Sequence, residues 1–562
     1  MSAEESLMPS SEGGKVPQSY NIESGDAKFN KGSENVDVQT STKLIGLTKE
    51  QLEKYRNDPF WRPVRYALFV MFWAVWIVMF GGAIVIVALS PKCDAKTAAN
   101  WDQIAVHYQL FTPAFHDINN DGIGDFKGMT KKMDLLRKLG VTSVWASPVI
   151  ATHKDSFDVE NVIDLDIVDP RYGSEAEFAE VVHTAHGKGI KFVMDLPLSV
   201  SKQHEWNADA KYVDYVEKPE GSTEEFVRIN LKNPEARDAV INSAIKFALL
   251  GVDGFHVNDK LISGYPNISA IIKDRLNATE ELRGKEFIFF SSGSSDVEHS
   301  ADDGLSYTIR SISDLNGGLC NGETSDIKCI RTALKTGAAA EPVKVLPFIW
   351  KNGDINSQRA DQRFQHNATE IQTLLTMIQL VLPGPVQTYY GEELGLGSTV
   401  NKVHKNRGAM QWDKTNHAGF TAAKGDVLFG ITKDFESVNF DSLYNHPRSS
   451  VRIYQKLAKL RLRTEVIQFG EISVKTVGDL IVISRYVSET SDPIFVLVAN
   501  LPEEGEGSAQ TLTFDETIVP GRPFNSAEIS IGSPNSKLET HHRVDLTKGL
   551  SLAPFEGVVL KF

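Results

Sequence analysis

The chain has 562 residues, with 73 acidic and 59 basic side chains and a formal net charge of −14. That length leaves room for several domains. The acidity argues against a nucleic-acid partner, because phosphate binding requires a basic surface and the sequence has no basic cluster of useful size. We interpret the negative charge as a contribution to solubility.

The first segment, residues 1–65, is predicted to be a tail that is mostly disordered. Up to about residue 44 it is rich in Ser, Gly, Glu, Asn and Lys and has few large apolar side chains. Such a composition cannot bury enough apolar surface to offset the entropy lost on ordering the chain.

Residues 66–89, with the sequence YALFVMFWAVWIVMFGGAIVIVAL, form an uncharged and mostly apolar run. As a helix this run would extend about 36 Å, which is enough to cross a hydrocarbon core of about 30 Å. A buried core helix would usually be shorter and carry a polar stripe, and a secretory signal would lie nearer residue 1. We therefore predict a single transmembrane helix.

Basic residues flank this run unequally. Two follow it closely, Lys92 and Lys96, whereas five precede it, namely Lys49, Lys54, Arg56, Arg62 and Arg65. The more positive flank of a membrane helix stays in the cytosol. The sequence therefore predicts a type II protein with a cytosolic tail, a short extracellular neck over residues 90–100 and a large extracellular C-terminal part.

Asn-X-Ser/Thr sequons begin at Asn267, Asn277 and Asn367. All of them fall on the predicted extracellular side, which is where N-glycosylation takes place. Each triplet is weak evidence alone, but together they agree with the orientation derived from the flanking charges, and we predict that these asparagines carry glycans.

The cysteines are Cys93, Cys320 and Cys329, an odd number in an oxidising extracellular setting. Cys320 and Cys329 are separated by the short polar segment NGETSDIK, so a local disulfide between them is the economical prediction. Cys93 is then left over just beyond the membrane. We predict an intermolecular disulfide with a second membrane protein, and a free or lipidated cysteine is the alternative.

From Trp101 onward, short apolar runs alternate with amphipathic stretches, a pattern that favours a parallel sheet covered by helices. Predicted elements include a strand over 141–145, a helix over 175–186, a strand over 190–195 and a helix over 236–250. After about Arg463 the pattern changes to the segments LIVISRYV, PIFVLVAN, TLTFDET and GVVLKF, separated by Gly, Pro and Asp. We predict an α/β domain over 101–463 and an antiparallel β domain over 464–562.

Six phrases in this region resemble the α-amylase family of glycoside hydrolases, and especially its oligosaccharide α-glucosidase branch. They are FHDINNDGIGDFKGM (115–129), VTSVWASPVI (141–150), DPRYGSEAEF (169–178), GVDGF (251–255), LPGPVQTYYGEELGL (382–396) and RGAMQWD (407–413). The resemblance implies a (β/α)8 TIM barrel followed by a C-terminal β-sandwich. It also implies a site at the C-terminal ends of the barrel strands.

The positions that match the family's catalytic residues hold other side chains in this sequence. They are Ser199 and Val200 in place of asparagine and histidine, His256 for the arginine, Asn258 for the nucleophile, Ser292 for the general acid and Gly353 for a histidine. An amide cannot form the glycosyl ester that a carboxylate nucleophile forms. A serine cannot usefully protonate a leaving oxygen near neutral pH.

Asp354 is the carboxylate of the catalytic set that remains. It is predicted either to bind a sugar hydroxyl or to be a strand-end carboxylate that accepts hydrogen bonds from backbone amides. A single acid without its partners cannot catalyse glycoside hydrolysis. We therefore predict a pseudoenzyme with no catalytic cofactor. The alternative is a membrane-bound α-glucosidase that uses Asp354 and Asp259 in shifted roles, although Asp259 would point to the other side of its strand unless a bulge intervened.

The oxygen-rich loop after the first predicted barrel strand matches the calcium loop of the α-glucosidase branch. Its ligands by that resemblance are Asp117, Asn119, Asp121, the carbonyl of Ile123 and Asp125. Alternating oxygen ligands around tight glycines suit a hard cation, so a structural Ca²⁺ is predicted. An Asx-rich turn without a metal is the alternative.

A type II glycoprotein with an inactive amylase-like domain and a lone juxtamembrane cysteine resembles the heavy chains of the heteromeric amino acid transporters. The resemblance implies a multispan light chain that exchanges amino acids, which the heavy chain escorts to the plasma membrane and stabilises there. Cys93 matches the family's linking cysteine. Gly81, Gly82 and Ala83 would allow a partner helix to approach closely, although glycine is also simply tolerated in membrane helices.

The resemblance further implies integrins as partners, and nothing in the tail itself indicates them. The other alternative is a carbohydrate-binding or adhesion glycoprotein that has no transporter partner.

Overall fold

The computed structural model describes residues 58–89, 100–217, 224–258, 264–292, 303–312, 325–339, 348–364, 366–400, 405–488, 490–503 and 507–562, together with Glu53, Tyr55, Arg56 and Leu261. The chain forms two compact units, which divide between Thr97 and Ala98. The predicted tail and neck fall mostly outside the described residues.

The first unit contains helix α1 (Trp61–Leu89). Its segment Trp61–Ile86 has a mean hydropathy of 2.4 and none of it is buried within the protein. Among the described residues, this is the single helix long and apolar enough to cross a membrane. The helix begins five residues before the predicted span, because Asp58 accepts hydrogen bonds from the backbone amides of Phe60 and Arg62 and so starts the first turn.

The second unit contains all the described strands. In chain order they are β1 (Val106–Phe111), β2 (Ser143–Ser147), β3 (Lys191–Asp195), β4 (Ser199–Ser201), β5 (Val216–Glu217), β6 (Phe226–Ile229), β7 (Gly254–Val257), β8 (Ile288–Ser292), β9 (Tyr307–Ser311), β10 (Phe348–Lys351), β11 (Val386–Tyr389), β12 (Glu471–Val477), β13 (Leu480–Tyr486), β14 (Phe495–Asn500), β15 (Gln510–Leu512), β16 (Ser526–Gly532), β17 (Arg543–Asp545), β18 (Leu550–Leu552) and β19 (Gly557–Lys561).

The longer helices of this unit alternate with the strands of its first part. The α-helices are α2 (Phe126–Leu139), α3 (Glu175–Gly187), α4 (Glu205–Ala208), α5 (Pro234–Leu249), α6 (Ile268–Ala278), α7 (Asp326–Ala339), α8 (Ala360–Arg363), α9 (Ala368–Val381), α10 (Phe440–Asn445), α11 (Ser450–Arg463) and α12 (Glu465–Phe469). Short 3₁₀ helices cover Thr112–Ala114, Ala210–Tyr215, Glu280–Leu282 and Asn416–Gly419.

Eight parallel strands close into a barrel in the order β1-β11-β10-β9-β8-β7-β3-β2. Strands β4, β6 and β5 form a small antiparallel sheet after the third barrel strand. The C-terminal part has a six-stranded antiparallel sheet, β12-β13-β14-β19-β16-β17, and a second sheet of β15 and β18. The predicted fold class, a TIM barrel followed by antiparallel β structure, is confirmed.

The ends of the elements differ slightly from the prediction, for local reasons. Strand β2 begins at Ser143 rather than Val141, because the amide of Val141 donates to the carbonyl of Leu136 and closes the end of α2. Helix α5 begins two residues early, at Pro234, because the side chain of Asn233 caps it by accepting hydrogen bonds from the first-turn amides.

Two fully buried arginines meet the C-terminal end of α9, Arg461 from α11 and Arg485 from β13 of the C-terminal sheet. Arg461 donates to the carbonyls of Leu382 and Gly384, and Arg485 donates to the carbonyl of Val381 at 2.7 Å. These carbonyls lie at the C-terminal end of α9 and just beyond it, where the helix dipole favours positive charge. The two parts of this unit therefore share one hydrogen-bonded junction at the end of α9.

Candidate functional site

Two of the positions predicted to match the family's catalytic residues, His256 and Ser292, lie with Asp195 at the C-terminal ends of the barrel strands. Asp195 is the last residue of β3, His256 lies near the end of β7, and Ser292 is the last residue of β8. These three strands are neighbours in the barrel, and Asp195 is paired in register with His256. In TIM barrels the functional site sits at this end of the strands.

Three of these side chains form a continuous chain of hydrogen bonds, which we call the relay (Asp195, His256 and Ser292). Nδ1 of His256 lies 2.8 Å from Oδ1 of Asp195, and Nε2 of His256 lies 2.7 Å from Oγ of Ser292. The imidazole ring rests against the indole of Trp145, with ring centroids 4.5 Å apart. The ring is therefore held on both nitrogen atoms and on one face.

Asn258 follows β7 and is hydrogen-bonded to a carboxylate that no family motif pointed to. Its amide Nδ2 donates to Oε1 of Glu160 at 2.9 Å. The pKa of Glu160 is raised above its ordinary value, because burial outweighs the opposing effect of the hydrogen bond from Asn258. An ionised aspartate at position 258 would have no proton to donate to Glu160, and its charge would repel that carboxylate. The amide of Asn258 can donate a hydrogen bond and carries no charge, so it is the better partner.

Ser199 and Val200 lie in β4, in the small antiparallel sheet, and both are fully buried. The hydroxyl of Ser199 donates to the backbone carbonyl of Glu160 at 2.8 Å. Ser199 therefore supports the loop that carries Glu160, and it is not a member of the relay. Asp259, which the α-glucosidase alternative requires, lies outside the described residues.

On the opposite part of the strand ends lie three acids that we call the carboxylate cluster, namely Asp354, which is partly buried, and Glu392 and Glu393, which are buried. Oδ2 of Asp354 accepts a hydrogen bond from the ammonium of Lys351, and Oδ1 accepts from the amide of Asn356 and the hydroxyl of Ser357, both at 2.8 Å. Burial alone would raise the pKa of Asp354, but Lys351 and these hydrogen bonds lower it to about 2. Asp354 is therefore an ionised carboxylate whose two oxygens are already engaged.

Gly353 makes room for the second member of the cluster. A Cβ added at Gly353 would lie 2.9 Å from Oε1 of Glu392, so a histidine there would require Glu392 to move. Glu392 is buried and accepts a hydrogen bond from the backbone amide of Tyr389 at 2.9 Å. Burial raises the pKa of Glu392 to about 7.

The third member, Glu393, accepts a hydrogen bond from the phenol of Tyr108 at 2.7 Å, and burial raises its pKa to about 7 as well. Arg359 interacts electrostatically with both glutamates; its guanidinium stacks on Tyr389 and donates to the carbonyl of Tyr390 at 2.8 Å. The sequence phrase YYGEELGL contains these residues, but no motif indicated that its two glutamates would both be buried.

Glycoside hydrolysis needs one carboxylate nucleophile and one protonated acid on either side of the scissile bond. At the positions predicted to match those roles, the structure has Asn258, which donates to Glu160, and Ser292, which belongs to the relay. Asp354 is paired with Lys351.

The predicted calcium loop is a network of hydrogen bonds between its own side chains and backbone. Asp117 accepts from the amides of Asn120 and Gly122, and Asp125 accepts from those of Ile118, Asn119 and Gly128. Asn119 and Asp121 are hydrogen-bonded to each other, and Asp121 also accepts from the amide of Ile123. Within the described residues no group of three or more His, Cys, Asp or Glu side chains is arranged to hold a metal. The loop oxygens are thus satisfied as in the Asx-turn alternative, and Ca²⁺ binding stays a prediction.

The predicted modification sites are partly described. Asn267, Asn277 and Asn367 are all exposed, as glycan acceptors must be. Cys329 is disulfide-bonded, while Cys320 and Cys93 lie outside the described residues, so their pairing stays a prediction. In α1, a Cβ added at Gly81 or Gly82 would meet nothing within 4 Å, which leaves that part of the helix surface open.

Comparison with known proteins matches the chain to two protein families. Residues 33–108 match the family model described as solute carrier family 3 member 2 N-terminus. Residues 109–230 and 323–470 match the model described as alpha amylase, catalytic domain.

Similar curated proteins include transporter subunits and an enzyme. The human amino acid transporter heavy chain SLC3A1 is 24% identical, over 94% of this chain and 87% of its own length. The rat amino acid transporter heavy chain SLC3A2 is 23% identical, over 94% of this chain and 90% of its own length. The Culex pipiens alpha-glucosidase is 25% identical, over 83% of this chain and 91% of its own length.

Among solved structures, trehalose-6-phosphate hydrolase from Bacillus licheniformis superposes with a TM-score of 0.66 at 17% identity, over 82% of this chain and 100% of that one. Trehalulose synthase MutB from Pseudomonas mesoacidophila gives a TM-score of 0.65 at 17% identity, over 83% of this chain and 100% of that one. At this identity the likeness establishes the fold alone.

Proposed function

Because this chain belongs to the amino acid transporter heavy chains, with a barrel domain of the α-amylase family, we propose that it is the non-catalytic subunit of a heteromeric amino acid transporter. The observation that carries the proposal is the combination in one chain of the solute carrier family 3 member 2 N-terminus, an apolar helix and an amylase-like barrel. The partner would be a multispan light chain that moves the amino acids. This chain would escort it to the plasma membrane and stabilise it there.

The proposed topology is type II, with the N-terminus in the cytosol and the barrel outside the cell. It is supported by the excess of basic residues before α1 and by the exposure of the three sequon asparagines on the barrel unit. Glycans on these side chains would face solvent.

Two contacts with the light chain are proposed. Cys93 would form the interchain disulfide, and the open surface of α1 at Gly81, Gly82 and Ala83 would pack against a light-chain helix, because small side chains allow close approach. The disulfide raises the effective concentration of the partner, whereas the helix contact supplies specific packing. Loss of the disulfide should therefore cost less than loss of the helix contact.

The barrel is proposed to be inactive as a glycosidase. Support comes from Asn258 and Ser292 at the positions that match the nucleophile and the general acid, and from the ion pair that neutralises Asp354. One similar protein is an alpha-glucosidase, so inactivity has to be tested directly. Hydrolysis of 4-nitrophenyl α-glucoside by the purified full chain, lost on Asp354→Asn, would contradict it.

The test of the partnership is a non-reducing immunoblot of native membranes, with wild type compared with Cys93→Ser. We expect a high-mass adduct that reductant removes, that Cys93→Ser lacks, and in which mass spectrometry identifies a multispan amino acid transporter. Absence of any adduct in wild type would contradict the covalent link and favour an adhesion or sugar-binding role.

A further inference from the structure

The relay has the connectivity of a nucleophilic serine site. Its serine bonds to one nitrogen of an imidazole, whose other nitrogen bonds to a carboxylate, at 2.7 and 2.8 Å. The three residues come from three adjacent strands at the end of the barrel where TIM-barrel sites are built. Such sites are recognised by geometry and roles rather than by their order in the sequence.

The carboxylate fixes the form of the imidazole. An ionised carboxylate can only accept hydrogen bonds, so Nδ1 of His256 must carry the proton that it shares with Asp195. In a neutral imidazole, Nε2 is then an acceptor, and the hydroxyl of Ser292 donates to it. This is the tautomer in which a histidine can remove the proton from a serine hydroxyl.

The charge of Asp195 is available to stabilise the imidazolium that such a proton transfer would create. Among the described residues, His256 is the sole basic side chain that pairs with Asp195. The second carboxylate oxygen, Oδ2, is buried without a hydrogen-bond partner, and the residue is only 8% exposed. A buried, otherwise unneutralised carboxylate favours a positive charge beside it.

The surroundings indicate the class of molecule that would react. Ser292 is partly exposed, so its hydroxyl lies at the boundary with solvent. Trp145 and Phe290 lie against the imidazole, with ring centroids 4.5 and 5.5 Å away. Within the described residues no lysine or arginine is paired with any member of the relay. Both rings are buried in the barrel interior, so they fix the imidazole from below. Since no described cation is paired with the relay to neutralise an anionic acyl group, an uncharged ester suits it better.

We propose that Ser292 is an activated nucleophile that accepts the acyl group of small uncharged carboxylic esters, with His256 as general base and Asp195 as the residue that positions it. Oγ of Ser292 bonds to the carbonyl carbon while its proton moves to Nε2 of His256. The bond to the leaving alkoxide breaks, and the alkoxide takes that proton. Water then attacks the acyl-serine through the same histidine, which releases the carboxylic acid and restores the serine.

This chemistry is separate from glycoside hydrolysis and does not depend on the transporter partnership. The test uses the full chain in detergent, treated with a fluorescent fluorophosphonate, with the modified residue located by peptide mass spectrometry and 4-nitrophenyl acetate as the turnover substrate. Ser291→Ala is the matched control, because Ser291 precedes Ser292 in β8 and is buried.

We expect labelling of Ser292 in wild type and in Ser291→Ala, and none at that position in Ser292→Ala. His256→Gln should lower the acylation rate about 100-fold, as expected for loss of a general base. Asp195→Asn should lower it about 10-fold or more, because the amide permits the wrong tautomer. Added imidazole should restore labelling to His256→Ala, an effect that a purely structural histidine would not produce.

Two results would overturn the proposal. One is no labelling of Ser292 in wild type above that of other exposed serines. The other is equal labelling rates in wild type, His256→Gln and Asp195→Asn when all retain the wild-type melting temperature. If either variant fails to fold, the test is the rate at which the fluorophosphonate labels Ser292 in wild type, compared with the rate at other exposed serines. An unactivated serine would not be labelled measurably faster than those.

Discussion

The relay and the carboxylate cluster occupy two parts of the same ring of strand ends, and they differ in what surrounds their charges. In the relay, Asp195 is paired with a histidine whose far nitrogen meets a partly exposed serine. In the cluster, Asp354 is paired with Lys351, and Glu392 and Glu393 are buried with raised pKa values. The acids of the cluster are therefore fixed by hydrogen bonds to neighbouring groups, whereas the relay ends at Ser292, which is partly exposed to solvent.

This difference shows that the two groups of strand-end side chains are stabilised in different ways. Asp354 is engaged on both oxygens by its own loop and by Lys351. His256 instead bridges Asp195 and Ser292 through its two ring nitrogens.

The largest expected effect is on the cluster side, from Lys351→Met. This change removes the cation beside a carboxylate that is only 16% exposed, and breaking one half of such a pair costs about 3–5 kcal/mol. Chemical denaturation of the full chain in detergent should show this loss in the free energy of unfolding. The double variant Lys351→Met/Asp354→Asn should recover most of it, and equal losses in both variants would contradict the ion-pair role.

A smaller effect is expected from the pH dependence of the buried glutamates. The pKa of Glu393 is raised to about 7 in the folded protein, above the ordinary value near 4.3 in the unfolded chain. The unfolded state therefore loses its proton first, and stability falls as the pH rises from about 4.5 to about 7, by at most about 4 kcal/mol.

Glu393→Gln keeps an acceptor for Tyr108 but has no proton to lose. Its free energy of unfolding should therefore fall less than that of wild type between pH 5 and pH 8. The surface variant Glu516→Gln is the control, because Glu516 is exposed. Parallel pH profiles for wild type and Glu393→Gln would show that this carboxyl does not titrate in that range.

The smallest expected effect is at Asn258, beside the relay. Asn258→Asp would place a carboxylate within hydrogen-bond distance of Glu160 and should cost about 1–3 kcal/mol. Adding Glu160→Gln supplies a donor for the new aspartate and should restore stability. Neither variant should hydrolyse 4-nitrophenyl α-glucoside. A gain of hydrolysis in Asn258→Asp would show that the remaining residues still form a glycosidase site.

Much of the fold could be predicted from the sequence because its signals are local. Two of the phrases that carry the family resemblance contain helix caps: Asp125 accepts from the amide of Gly128, and Ser174 forms a capping box with Glu177. The two barrel strands predicted from apolar runs, 141–145 and 190–195, correspond to β2 and β3 to within two residues, and LIVISRYV, PIFVLVAN and GVVLKF contain β13, β14 and β19.

The relay could not be predicted, because its members are 61 and 36 residues apart and share no motif. Their meeting depends on the closure of the barrel, which brings the ends of β3, β7 and β8 together. The partner of Asn258 was missed for the same reason, since Glu160 is 98 residues away in an irregular loop. The sequence indicated that these residues would lie near strand ends, but it did not indicate their hydrogen-bond partners.

The most direct test of the central claim is affinity purification of the full Cys93→Ser chain from native membranes in mild detergent, followed by mass spectrometry. We predict that a multispan amino acid transporter co-purifies in near-equal amount without the disulfide, because helix α1 holds it. Replacement of Gly81 and Gly82 by leucine in the same chain should reduce that recovery. Absence of any multispan transporter from both wild-type and Cys93→Ser preparations would contradict the heavy-chain function.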